Sequence, residues 1–131
     1  MNFYISDLHF GHKNALAFDN RPFGTVDEMN QALIDNWNKT VTAADHVYIL
    51  GDFCWGKAKD WPAVLQQLSG NKHLIRGNHD IRMPMQPDVR RYFVDVADYK
   101  EIKDGDQYLV LSHYPIVAFK NMYYGWMHLY G

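Results

Sequence analysis

The stretch NKHLIRGNHD, Asn71–Asp80, decides how the rest of the chain is read. Within it KHLI (Lys72–Ile75) has the short, apolar, β-branched character of a buried strand. RGNHD follows at once and sets an amide, an imidazole and a carboxylate side by side behind a glycine. Burying such groups without partners costs free energy. A buried strand that ends this way therefore needs something for those groups to hold.

Working outward, the pattern recurs. NFYI (Asn2–Ile5) is a short aromatic and β-branched strand stopped by SDLHFGH, and HVYIL (His46–Leu50) is a second buried strand ended by Gly51-Asp52. Between them Thr25, with Glu28 three residues on, has the form of a capping box. Met29, Leu33, Ile34 and Trp37 then recur at helical spacing. KDWPAVLQQLSG holds a second helix, lined on one side by Trp61, Val64, Leu65 and Leu68 and stopped by Gly70. Near-continuous apolar strands alternating with helices predict a parallel sheet with covered faces. After Pro84 and Pro87 the pattern changes: VADYKEI and QYLVLS flank KDGD, where Asp104-Gly105 favours a tight turn. The expected fold is α/β, one domain over 1–131, with a mixed, largely parallel sheet flanked by helices and extended by that antiparallel pair.

Bulk properties narrow the function classes. Hydrophobic residues make up 47% and aromatics 15% of 131 residues, a globular composition long enough for one real core. No apolar run approaches the ~20 residues that span a membrane, and the start has no basic, apolar leader, so no membrane partner and no signal peptide are expected. The single cysteine, Cys54, excludes an internal disulfide and fits a reducing, cytoplasmic setting. A net charge of −2 gives no support to a nucleic-acid partner, although a local basic patch stays open.

The chemistry lies at the strand ends. The first strand leads into Asp7 and His9, the second into Asp52, the third into Asn78, His79 and Asp80, and the later QYLVL into Ser112-His113. In open parallel sheets the ligand crevice lies at the carboxyl ends of the strands. Singly, an Asp after a strand is usually a turn former or cap, and a lone His is usually packing or surface. Jointly, these groups are expected to converge. Carboxylate, imidazole and amide oxygen without thiolate suit divalent Mn, Fe, Co, Ni or Zn. In an extended segment Asp7 and His9 would point the same way and reach one ion. Asp52 could bridge two, and two cations about 3.5–4 Å apart suit phosphoester cleavage.

SDLHFGH, LGDF, RGNHD and SHYP occur in the order of the motifs of the calcineurin-like metallophosphoesterase superfamily. FDNRPF, NWN and YILGDF resemble its small, single-domain bacterial and phage-type members in particular. The resemblance covers essentially the whole chain and implies a metal-dependent phosphoesterase of phosphomono- or phosphodiesters. It implies two divalent transition-metal ions and attack by a metal-bound hydroxide. Motif by motif, it implies that Asp7 and His9 bind the first ion, Asp52 bridges both, and Asn78 and His113 bind the second. His79 would be the catalytic imidazole, and Asp80 would orient it or cap the following segment. His12 is weighed equally as a substrate contact and a helix-start residue. Arg76 would neutralise phosphate or pair with an acid of the scaffold. His46 and His73 sit at strand starts, on the wrong side for this site, and Cys54 and Trp55 are expected to pack.

The superfamily's last motif, G-H-x-H, has no counterpart here: WMHLYG resembles the lead-in to it, with Gly131 at its glycine. The resemblance therefore implies a shortened sandwich with an exposed sheet edge, open to pairing with a second copy. The alternative function it leaves is a catalytically weak or inactive metal- or nucleotide-binding protein on the same fold. The substrate expected for an enzyme is a small phosphoester or nucleotide.

Overall fold

The computed structural model describes residues 1–11, 24–54 and 59–131. Four strands, β1 (Asn2–Ile5), β2 (His46–Ile49), β3 (Asn71–Ile75) and β4 (Phe93–Ala97), form a parallel sheet in the order β1-β2-β3-β4. Helices α1 (Val26–Thr40), α2 (Asp60–Leu65) and α3 (Pro87–Arg90) lie in the successive connections. Right-handed crossovers are the rule for such connections, and between strands taken in this order they put α1, α2 and α3 on one face. The burial pattern agrees. Ile34, Trp37, Trp61, Val64, Leu65 and Val89 pack with Val47, Ile49 and Leu74 into one core.

Local chemistry starts and stops these elements. Thr25 caps α1 by accepting the Glu28 N–H at 3.1 Å, as the capping pattern predicts, while Glu28 reaches back to the Gly24 N–H. Trp37 closes the same helix against the sheet by donating from Nε1 to the Ser69 carbonyl at 2.8 Å. Gly70 takes φ +93°, where an added Cβ would lie 2.7 Å from Val41. No helix among the described residues is long and apolar enough to cross a membrane.

The opposite face of the parallel sheet is covered by a second sheet, β5 (Tyr99–Asp104), β6 (Gln107–Ser112) and β7 (Met127–Leu129), with β5–β6 antiparallel and β6–β7 parallel. Tyr48, Leu50, Ile75, Leu109 and Leu111 form the core between the two layers. Here the structure corrects the sequence-based expectation twice. The hairpin does not extend the parallel sheet but faces it. VADYKEI is not one strand either, because the chain turns a corner at Asp98, ending β4 in one sheet and opening β5 in the other. The turn itself is Gly105-Asp106, with Asp104 paired to Gln107. Of these two central residues only Gly105 has positive φ, +58°, the II′ pattern.

A polar seam crosses the layer interface below the apolar core. His46 Nδ1 and His73 Nε2 are 2.9 Å apart, His73 Nδ1 meets Asp95 Oδ1 at 2.6 Å, and Lys100 of β5 pairs with the other Asp95 oxygen. The register shift between Lys72 and His73 aligns Asp95 with His73. Burial of the His73 ring pushes its pKa down, so it is neutral and donates to Asp95, while Lys100 supplies the positive charge.

Candidate metal centre

The loops after β1 and β2 run side by side as a continuation of the ladder. Asp7 N–H donates to Gly51 O (3.1 Å), His9 N–H to Asp52 O (2.9 Å) and Phe10 N–H to Phe53 O (2.9 Å). Three non-glycine residues in these loops have left-handed backbone: Asp7 (φ 54°), His9 (φ 52°) and Asp52 (φ 52°). Each such residue costs about 1–3 kcal/mol and persists only where its surroundings over-determine it. All three are residues the sequence singles out. The segment is thus not extended, and Asp7 and His9 are re-aimed individually rather than in parallel.

Two groups of donor atoms result, each with its atoms within 4.8 Å of one another: His9, Asp52 and His79, and Asp7, Asp52 and His113. Asp52 belongs to both. Its Oδ2 lies 3.4 Å from His9 Nε2 and 3.5 Å from His113 Nε2, outside hydrogen-bond range. Two ligands ~2.05 Å from a tetrahedral ion would stand about 3.3 Å apart, so these separations and this donor chemistry fit a divalent cation.

The supporting contacts orient the donors. His113 Nδ1 is 2.8 Å from the Leu50 carbonyl, so it carries the proton and leaves the Nε2 lone pair facing Asp52. Asn78 completes the cluster. Donors and acceptors match when its Nδ2 faces both Asp52 oxygens at 3.0 Å and His113 Nε2 at 3.1 Å, with Oδ1 accepting from His79 Nε2 at 3.1 Å. His79 N–H also donates to Asp52 Oδ1 at 3.1 Å, while its side chain is exposed at the rim.

Asp80 has a different part from the one expected. It is fully buried, and its carboxylate accepts from the N–H groups of Asp52 (2.5 Å), Phe53 (3.1 Å) and Gly77 (3.0 Å). It reaches back into the loop that carries Asp52 rather than forward to cap the next segment. Burial raises its pKa, and the three backbone donors pull the other way. Asp80 is thus a positioning residue, not one aimed at a substrate. Arg76 takes its scaffold alternative: its guanidinium grips Asp98 at 2.7 and 2.8 Å and donates to Ile81 O at 2.9 Å. Cys54 is buried, its thiol pKa pushed up to about 12 by that burial. His12 and Trp55 lie outside the described residues.

Sequence reasoning passed over the two glycines that let the cluster close. An added Cβ at Gly51 would stand 2.3 Å from His113 Nδ1, and one at Gly77 would stand 2.6 Å from Asp52 Oδ1. The visible signal was a glycine directly before each candidate ligand segment, Gly51-Asp52 and Gly77-Asn78.

Comparison with known proteins places the chain among relatives of related sequence and fold. The chain is 49% identical over 80 residues to an uncharacterized protein of Methanocaldococcus jannaschii, a match covering 60% of this chain and 46% of that protein. It is 33% identical to the Gene 66 protein of Mycobacterium phage L5, covering 88% of this chain and 63% of the phage protein. The crystal structure of a protein of unknown function from Aquifex aeolicus superposes with a TM-score of 0.73 at 30% identity, covering 94% of this chain and 66% of that one. The chain thus spans between about half and two thirds of the length of these relatives. Residues 3–130 match the model of one family, and the chain belongs to it: the calcineurin-like phosphoesterases.

Proposed function

We propose that this chain carries the catalytic centre of a metal-dependent phosphoesterase, acting on small phosphomono- or phosphodiesters through two divalent transition-metal ions. The observation that carries this reading is the sharing of Asp52 between two donor groups. Asp7 and His9, expected to share an ion, fall in different donor groups: one ion would be held by His9 and Asp52, with His79 left for acid chemistry, and the other by Asp7, Asp52, Asn78 and His113. A divalent pair would polarise phosphoryl oxygens and activate water for attack.

The protein's own groups supply the rest. His79 lies exposed at the rim with its Nε2 3.1 Å from the Asn78 amide, and from there it would protonate the leaving oxygen of a bound ester. Leu50 O fixes the His113 tautomer, and Asp80 holds the Asp52 loop. The Asn78 amide stands 3.0 Å from both Asp52 oxygens and 3.1 Å from His113 Nε2, placed to turn its oxygen to a cation held there. Arg76 is committed to Asp98 and takes no part in binding phosphate in this scheme.

The test is Mn(II)-dependent hydrolysis of bis(p-nitrophenyl) phosphate. Turnover in the parent, lost in Asp52→Asn and reduced by 10²–10⁴ in His79→Ala, supports the assignment. Calorimetric binding of metal or nucleotide with no product released would replace it with the binding-protein alternative. A parent that binds neither metal nor nucleotide and does not turn over would reject both.

A further inference from the structure

From His113 to Trp126 the chain forms no strand and passes through a 3-10 turn at Met122–Tyr124 before entering β7. A candidate ligand thus opens an irregular stretch. Ser112 Oγ donates to Tyr114 O at 2.5 Å, and Gly131 N–H donates to His113 O at 3.0 Å. These bonds secure the beginning of the stretch but do not reach its next turn.

His128, on β7, does. Its Nε2 accepts the Ile116 N–H at 3.0 Å, and its Nδ1 stands 3.0 Å from the Val110 carbonyl of β6. A donor at one nitrogen and an acceptor at the other define a neutral ring with the proton on Nδ1. The ring also lies between Phe119 and Tyr130, at centroid distances of 5.4 and 5.2 Å. One half-buried side chain therefore joins β6, β7 and the loop that follows His113. With both nitrogens committed to backbone, His128 has no lone pair to offer an ion.

We propose that His128 is a positioning residue for His113: by clamping Ile116 to β6 it holds the Tyr114–Ile116 segment, and with it the direction in which His113 presents Nε2 to Asp52 and Asn78. The link to cation binding rests on the metal-centre reading above. Ligand distances in metal sites fall within about 0.2 Å of set values, so loosening the segment three residues from a ligand is enough to weaken the site.

The experiment compares the parent chain with His128→Phe, which keeps a ring between Phe119 and Tyr130 but removes both nitrogens, and His128→Gln, whose Oε1 can accept the Ile116 N–H. Imidazole and amide NMR signals are followed in metal-free protein, and Zn(II) affinity is then measured by calorimetry. Expected in His128→Phe are loss of exchange protection at Ile116, broadening of the His113 Nδ1–H signal and Zn(II) affinity about tenfold or more weaker. His128→Gln should recover most of all three. Trp37→Phe serves as control, lowering stability without changing affinity or the His113 signal. Unchanged His113 signals in folded His128→Phe would overturn the proposal, as would a His128→Gln chain no better than His128→Phe. If the parent takes up no Zn(II), the metal-centre reading falls, while the metal-free signals still decide the clamp.

Discussion

Removing the Asp80 carboxylate should unfasten the loop that carries Asp52. The side chain is fully buried and accepts three backbone N–H bonds, two on Oδ2 from Asp52 and Gly77 and one on Oδ1 from Phe53. In Asp80→Ala all three donors lose their acceptor. A buried donor left unsatisfied costs about 1–3 kcal/mol. Burial, which raises the Asp80 pKa, already offsets part of what the ionised group contributes, so we take the lower end, about 3 kcal/mol in all. That is a large share of the 5–15 kcal/mol that typically holds a domain together. Asp80→Asn keeps an oxygen for two of the bonds but turns an NH2 on the third donor, for about 1–2 kcal/mol. With a urea slope of about 1–3 kcal/mol per M, the Asp80→Ala midpoint falls by about 1–3 M and that of Asp80→Asn by roughly one third to two thirds as much. Zn(II) affinity should fall in the same order, since Asp52 sits at φ 52° only while its loop is tied down. An Asp80→Ala protein within about 0.5 kcal/mol of the parent, or a destabilised one with parental affinity, would refute the argument; shifts of that size are ordinary for featureless surface sites.

Gly77→Ala places a Cβ 2.7 Å from Asp52 N and 3.1 Å from Gly51 Cα, backbone that cannot swing aside, so thermal unfolding should report a loss of about 1–3 kcal/mol together with lost metal uptake. Gly105→Ala meets nothing within 4 Å and should cost only the left-handed strain of about 1–2 kcal/mol, with metal uptake intact. Trp37→Phe gives up the Nε1 bond to Ser69 O and should lose about 1 kcal/mol by the same measurement. In acid, Asp98 is held low by its bond to Arg76, and Asp95 is held low because Lys100 and His73 outweigh its burial. Asp45 is lowered to about 2, chiefly by the Thr42 N–H. Their folded values lie below the ~3.9 of an unfolded Asp, so their contribution is complete above about pH 4 and drains away as pH falls toward 2. Neutral His73 adds an earlier loss that starts as pH drops below ~6.5, where the unfolded chain takes up the proton first. An Asp98→Asn, Asp95→Asn double variant should flatten the acid limb of a urea-midpoint-against-pH curve, and an unchanged limb would contradict the assignment.

What the sequence discloses and what it hides divide along physical lines. The α1 start was legible because capping is local: Thr25 and Glu28 are three residues apart and act on each other's turn. The parallel layer was legible because strands covered on both faces read as apolar runs, and the polar groups that end them had to gather at one rim. The corner at Asp98 was hidden, because VADYKEI carries no glycine or proline to mark where the chain changes layer, and the Arg76–Asp98 contact that accompanies the break joins residues 22 apart. The fate of Arg76 and Asp80 was hidden for a related reason. A charged residue beside a ligand motif looks the same whether it meets a substrate or three backbone amides. Spacing also suggested that Asp7 and His9 act in parallel, which holds for extended chain and not for left-handed backbone.

The donors come from both layers: Asp7, His9, Asp52 and Asn78 follow strands of the parallel sheet, whereas His113 follows β6 of its neighbour. A cation seated among them would act as a rivet through the sandwich, so its occupancy and the cohesion of the two layers become one thermodynamic quantity. At a hundredfold excess over its dissociation constant such a bolt is worth about 2.7 kcal/mol of folding free energy. Chelation would then soften the joint between the layers before it melted either sheet.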